Sequence, residues 1–429
     1  MKKSIRKVVS LVVVLALSLT FLVGCTVDEL TLLNALCKQS DINSYETKTE
    51  VAFKIAAEGL DASEKESFEQ IASLVNGMKI AVNQKATSNK EKTIAKSQSD
   101  VKISMDGIST DLSVWYDVDF TGENPKINQI VKVPQILSEF LPVNGESGIS
   151  NKEYLVMDIG EILTDKSTTG AFYSKELIKY YSSLTPKLID FIKDYAKEFN
   201  PGFSIVTKKG TQTVDNQTVT VYNLKLDDTN FKKLLSYSVT NFVQNERAME
   251  FLKNIALDSV RLSNLPYRER LKTQGEINKA FDQFKTDLPE FLEDWDKVMS
   301  VLKDVRILGD KGIDIEFGIN KDGYIVSQKG TMEFVIDTNQ IINAIEKYES
   351  LSDEDYIASY IKDEDNSIIK FEIEFNSSIT KINQDIVVDI PEVNTENSVN
   401  VSELISNYLK FFNNTDEILD DTSLMNLLQ

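Results

Sequence analysis

Apolar residues run from Val8 to Val23 with only Ser10, Ser18 and Thr20 between them, and after that the hydrophobic pattern changes character. Leu30, Leu33 and Leu36 step by three, which predicts a short helix. From Ser44 to Ile55 the odd positions are apolar or Thr and the even ones mostly charged, the signature of a half-exposed antiparallel strand. Asp61 then caps a predicted helix with Phe68, Ile71, Leu74 and Val75 on one face. Alternation resumes at Met78-x-Ile80-x-Val82 and Val101-x-Ile103-x-Met105, and Asp106-Gly107 predicts a hairpin turn. The next strand places Leu112, Val114, Tyr116, Val118 and Phe120 on one face, and strand-like stretches follow at Ile127–Val133 and Tyr154–Ile159.

The second half of the chain reads as two copies of one unit. A helix with Leu177, Tyr181, Leu184, Leu188, Phe191 and Tyr195 is interrupted at Thr185-Pro186, and a later one from Ile277 to Leu302 is interrupted at Leu288-Pro289. Hairpins follow, over Phe203–Leu226 and Ile313–Ile336. Each runs into a capped helix, at Asp227-Asp228-Thr229-Asn230 and at Asp337-Thr338-Asn339-Gln340, with an offset of about a hundred residues. A duplicated α-β-β-α unit accounts for this, and so do two ordinary hairpin-to-helix junctions that share cap chemistry. Strands at Ile368–Phe375 and Ile386–Ile390 precede a polar tail and a helix near Val401–Phe411. The prolines in the helices and the many strands argue against a coiled coil and for helices packed on a sheet.

With 429 residues, 41% of them hydrophobic, the chain can bury a sizeable core. It contains no histidine, which excludes Ser-His-Asp and Cys-His catalysis and His-ligated metals. The net charge of −20 and the absence of a basic stripe argue against nucleic-acid binding. Lys2, Lys3, Arg6 and Lys7 ahead of the apolar run make residues 1–24 a secretory signal. It closes with Leu22-Val23-Gly24-Cys25, which resembles a bacterial lipobox; in proteins with that pattern the cysteine is acylated and becomes the first mature residue. Acyl chains on Cys25 hold the protein at the membrane, each buried methylene contributing ~0.8 kcal/mol. Cleavage removes four positive charges and takes the net charge to −24. Cys37 is then without an intramolecular partner and reads as a buried apolar thiol.

Chemical motifs are scarce. There is no Gly-x-Gly-x-x-Gly or Walker loop. Asn320-Lys321-Asp322-Gly323 resembles part of a calcium loop, but no Glu closes it and a hairpin turn explains it. The clusters Asp353-Glu354-Asp355 and Asp363-Glu364-Asp365 read as solvated loops. No catalytic residue, metal site or cofactor is expected, although a carboxylate pair for glycoside hydrolysis is a matter of spatial rather than sequence spacing. Trp115 and Trp295 are too few to supply sugar platforms.

The helix over Leu30–Cys37, then Ile42-Asn43-Ser44-Tyr45-Glu46, antiparallel strands, and Lys152-Glu153-Tyr154-Leu155-Val156-Met157-Asp158 resemble the half-barrel lipoprotein carriers of the LolA/LppX type. Lys209–Val214 leading into Val219–Leu224, Asn320–Val326 and the closing Ile386–Pro391 extend the resemblance over roughly residues 28–392. The chain also resembles clostridial-type surface lipoproteins. These resemblances imply an α+β fold, a curved and mainly antiparallel sheet (a half-barrel) with helices packed on its concave face. The expected organisation is a signal peptide (1–24), an anchor with tether and short helix (25–43), a half-barrel body (44–392) with a helical insert at 228–304, and a polar linker with a C-terminal helix (393–429).

The implied function is non-enzymatic binding of a lipid or other hydrophobic ligand by a protein held through Cys25 on the extracytoplasmic face of a cell membrane, in a Gram-positive cell envelope. Palmitate is the expected type of acyl chain. The expected ligand face comprises Val51, Phe53, Ile55, Ile80, Val82, Ile103, Met105, Val114 and Tyr116, because pairing these strands produces one broad apolar surface. The alternative is a structural or protein-interaction lipoprotein whose sheet is filled by its own helices.

Overall fold

The computed structural model describes residues 26–105, 107–122, 126–132, 134, 152–159, 175–351 and 366–401, and within 175–182 only the side chain of Tyr180. The signal segment, Cys25, Asp106, both acidic clusters and most of the helix expected near Val401–Phe411 lie outside the described residues. In chain order the elements are α1 (Val27–Lys38), β1 (Ser44–Glu58), α2 (Ala62–Gly77), β2 (Lys79–Ser88), β3 (Ile94–Met105), β4 (Ile108–Asp119), β5 (Lys126–Lys132) and β6 (Tyr154–Asp158). Then come α3 (Lys175–Glu198), β7 (Val206–Val214), β8 (Gln217–Leu226), α4 (Asp228–Gln244), α5 (Glu246–Leu262) and α6 (Tyr267–Leu302). The chain closes with β9 (Leu308–Asn320), β10 (Ile325–Asp337), α7 (Thr338–Leu351), β11 (Ile368–Thr380) and β12 (Ser398–Asn400).

The protein is α+β, with twelve strands in one sheet ordered β12-β6-β5-β4-β3-β2-β1-β11-β10-β9-β8-β7, which does not close into a barrel. Every neighbouring pair is antiparallel except β12 on β6. The first strand and a late one meet in mid-sheet, where β1 pairs with β11 along thirteen residues, from Glu46↔Thr380 to Glu58↔Ile368.

Strands β1, β8 and β10 run in the same direction, and each leads into a helix capped by an aspartate. Asp61 accepts from the backbone N–H groups of Ser63 and Glu64, both at 2.8 Å. Asp227 accepts from Asn230 N–H at 2.7 Å, and Asp337 from Gln340 N–H at 3.0 Å. Such caps satisfy helix N–H groups that have no intrahelical acceptor. The two hairpins read as repeats, β7–β8 and β9–β10, follow one another in the same meander. Each is preceded by a long helix and followed by an Asp-capped one.

The main core lies at the β7 end of the sheet. Leu224, Leu226, Ile313 and Phe317 from the strands meet Leu32 and Ala35 of α1, Tyr195 of α3, Leu234, Val239 and Phe242 of α4, Ala248 and Leu252 of α5, and Phe281 and Phe284 of α6. The expected insert at 228–304 is thus helical, as α4, α5 and α6, and supplies much of the cover of β8–β10.

Three expectations need correction. Helices α3 and α6 run through Pro186 and Pro289 without interruption. Proline removes one N–H and crowds the carbonyl four residues earlier, but apolar residues after each proline, Phe191 and Tyr195 in α3 and Phe291 and Trp295 in α6, still pack on the core and hold the helix together. Among the described residues Ile386–Ile390 pairs with no strand, and the last strand is Ser398–Asn400, in what reads as polar tail. Alternation reports side-chain faces, whereas a strand also needs a free backbone edge, and here that edge is β6. Finally, no residue of α2 is buried, and Ile71 and Leu74 are 56% and 47% exposed although they belong to its apolar face.

Candidate functional site: the half-exposed apolar face of the sheet

Side chains alternate between the two faces of a strand, so the register decides which of the expected ligand residues lie together. Val51 stands between Ile80 and Phe375, and Ile80 in turn faces Ile103. Phe53 faces Ile373, and its ring stacks on Phe371 at 6.0 Å between centroids. Ile55 faces Phe371, Val82 faces Thr49 and Val101, and Met105 faces Ile108. Val114 stands between Ser99 and Val131, and Tyr116 between Ser97 and Gln129. All nine positions fall on one face.

That face continues across the sheet through Ile373↔Met332, Met332↔Ile313 and Ile313↔Leu226. Its cover does not. Ile313 and Leu226 are 2% and 1% exposed beneath the helices, whereas eight of the nine positions on β1–β4 are half-buried and the ninth, Tyr116, is 37% exposed. No residue of β1–β6 belongs to the main core.

The opposite face is crossed by ion pairs over β1 and β9–β11, with a small buried apolar cluster of Val219, Val221 and Val326 towards β8. Lys54 contacts Glu374 at 2.7 Å and Glu372 at 3.4 Å, Lys370 contacts Glu58 at 2.8 Å, and Lys329 contacts Glu316 at 2.9 Å. The hydrogen bond from Lys54 holds the Glu374 carboxyl below its ordinary range. Pairs this exposed add little stability, since water screens them; they make the face soluble. A polar cleft of about 300 Å³ opens on it, floored by the registered row Gly318–Ser327–Ser378 and walled by Gln212 and Asp215. Gly318 keeps that floor open, because a Cβ there would sit 2.3 Å from the Ser327 hydroxyl.

Two features were not legible as sites in the sequence. Trp115, one residue from Val114 and so on the opposite face, is the buried aromatic of β4 at 8% exposure, edge-on to Tyr154 at 6.2 Å. Glu29 is 1% exposed. Its Oε1 accepts from Ser204 Oγ at 2.9 Å and Ile205 N–H at 3.0 Å, and its Oε2 from Thr26 N–H at 3.0 Å. The Thr26-x-x-Glu29 spacing signals a capping box, but that this carboxylate also ties α1 to the start of β7 depends on the tertiary fold.

Among the described residues no group of three or more His, Cys, Asp or Glu side chains could hold a metal ion, and no helix is long and apolar enough to cross a membrane. Cys37 is free and half-buried, and burial pushes its thiol up, away from the reactive thiolate form. Asn320–Gly323 is a hairpin turn: Gly323 has φ +82° and donates to Asn320 O at 3.0 Å. No family profile and no curated protein matches the chain.

Proposed function

We propose that this is a non-enzymatic, extracytoplasmic lipoprotein, anchored through Cys25, that binds a lipid or other hydrophobic ligand on the half-exposed apolar face of β1–β4. In this reading the sheet bows into a half-barrel and the ligand lies on its concave side beside the helices. One observation supports it above the others: nine separately expected apolar positions share a face that is buried under helices at one end and open at the other. An apolar surface of that breadth calls for an occupant, since soluble proteins rarely leave one bare. The lipobox-like Leu22–Cys25 and the resemblance to half-barrel carriers point to a lipid rather than a polar metabolite. The same packing over β8–β10 favours the alternative, a structural envelope protein, to the extent that it continues over β1–β4.

Two experiments test this reading. Native mass spectrometry of the purified protein, with solvent extraction, should find co-purifying lipid beyond any acyl chains bonded to Cys25; protein without such non-covalent mass and with no extractable lipid would refute ligand binding. Separately, Cys25→Ser should leave an unprocessed precursor that takes up no labelled fatty acid, and normal labelling of that variant would refute the anchor.

A further inference from the structure

We infer that edge strand β7 and the first turn of α1 form the surface that faces the membrane, with Lys208 and Lys209 against anionic lipid headgroups. The inference rests on the reading of Cys25 as the acylated residue. Thr26 is the N-cap of α1 and accepts from Glu29 N–H, so the cap is the residue next to the cysteine and the helix begins two residues after it. Consecutive Cα atoms are about 3.8 Å apart, which leaves no tether between acyl chains and folded body. Helix α1 does not swing freely, because Leu32, Leu33 and Ala35 are buried and Glu29 is bonded to Ser204 and Ile205. Asp28 accepts from Lys208 N–H at 3.0 Å, which fixes the first turn of α1 to the outer edge of β7. The part of the body brought to the bilayer is therefore this corner.

Its surface suits the task. Val27 is 79% exposed beside the anchor position. Between Glu198 and Asp215 the only charged residues are Lys208 and Lys209, both exposed, in a chain of net charge −20. Basic side chains near an anionic leaflet are attracted within roughly a Debye length, about 8 Å at physiological salt. The first turn of α1 also carries two carboxylates, of which Glu29 is buried and Asp28 is bonded to Lys208 N–H. Lysines and a bulge on an edge strand also block unwanted strand pairing, a role that makes no prediction about lipids. With β7 against the bilayer, β4 stands eight strand spacings away, about 38 Å measured along the sheet, and the apolar row at Phe53 five spacings away, about 24 Å along it.

The test uses the acylated full chain in phosphatidylcholine–phosphatidylglycerol vesicles carrying a headgroup quencher. In a Cys37→Ser background, one fluorophore is placed at Thr211→Cys on β7 or at the exposed Ile108→Cys on β4. Flotation confirms anchoring, and circular dichroism confirms folding. Quenching at position 211 should exceed that at 108 at least threefold, and Lys208→Glu with Lys209→Glu should bring the two together. Protein that floats but is quenched equally at both positions overturns the β7 surface and leaves the anchor standing. Protein that does not float overturns both. Selective quenching that survives the double charge reversal overturns the part assigned to the lysines.

Discussion

The side-chain amide of Asn76 takes the place of a neighbouring strand for Ile55: its Oδ1 accepts from Ile55 N–H at 2.6 Å and its Nδ2 donates to Ile55 O at 3.1 Å. Strand β2 pairs with β1 only as far as Ala52, so residues 53–58 have β11 on one side and no strand on the other. Helix α2 packs there instead, and Asn76 in its last turn completes the backbone pairing that β2 leaves open.

Asn76→Ala should therefore destabilise the protein by about 1 kcal/mol, the net worth of exposed hydrogen bonds whose groups water can still reach. Urea unfolding would measure this. Hydrogen exchange at Ile55 should accelerate more than at Phe53 or Ala57. Asn76→Asp, which can accept but not donate, should fall between wild type and alanine.

A larger loss is expected at Asp228. Its Oδ2 pairs with Lys232 Nζ at 2.7 Å, and its Oδ1 accepts from Ile307 N–H and Leu308 N–H at 2.8 and 2.9 Å, fastening α4 to the start of β9. Burial raises the carboxyl's pKa, but the Lys232 hydrogen bond and the two backbone donors outweigh it and hold the group below its ordinary range. A depressed folded value means that the stabilisation is present above the unfolded pKa of about 3.9 and is lost as pH falls through the folded one. Asp228→Ala should cost about 3 kcal/mol, because the buried Lys232 loses its counter-charge. The variant should also flatten the acid limb of the stability–pH curve.

Tyr195 should control the alkaline limb. It is 5% exposed, donates to Asn241 Oδ1 at 2.6 Å, and burial pushes its phenol well above the ordinary range. Its contribution is fully present below the unfolded pKa of about 10 and is lost as pH rises beyond that toward the folded value. Denaturant titrations from pH 8 to 11 should show this loss. Tyr195→Phe should lower stability by about 1 kcal/mol at neutral pH and make the alkaline loss shallower.

Val114→Phe tests the ligand face. Val114 is half-buried opposite Val131, at the open end of the apolar surface. The larger ring should shift the melting temperature by less than about 4 °C, corresponding to under ~1 kcal/mol at a site with room to spare. Binding of a fluorescent fatty-acid probe should weaken at least fivefold. Unchanged probe binding with unchanged stability would move the ligand away from this face.

Local patterns in the sequence determined most of the strands, the Asp61, Asp227 and Asp337 caps, and the sharing of one apolar face by Val51, Phe53 and Ile55, because alternation and capping are set by residues a few positions apart. The continuity of α3 and α6 through Pro186 and Pro289 was decided instead by distant partners, whose packing outweighs a local break. Ile386–Ile390 alternates like a strand but pairs with none of the described strands, and which segment reaches an edge is settled only once all strands are placed. Likewise, nothing near Glu29 announces that its carboxylate will be buried against Ser204 and Ile205, more than 170 residues away. The sequence thus determined which face is apolar; how much of that face the helices cover depended on contacts between residues far apart in the chain, which periodicity does not encode.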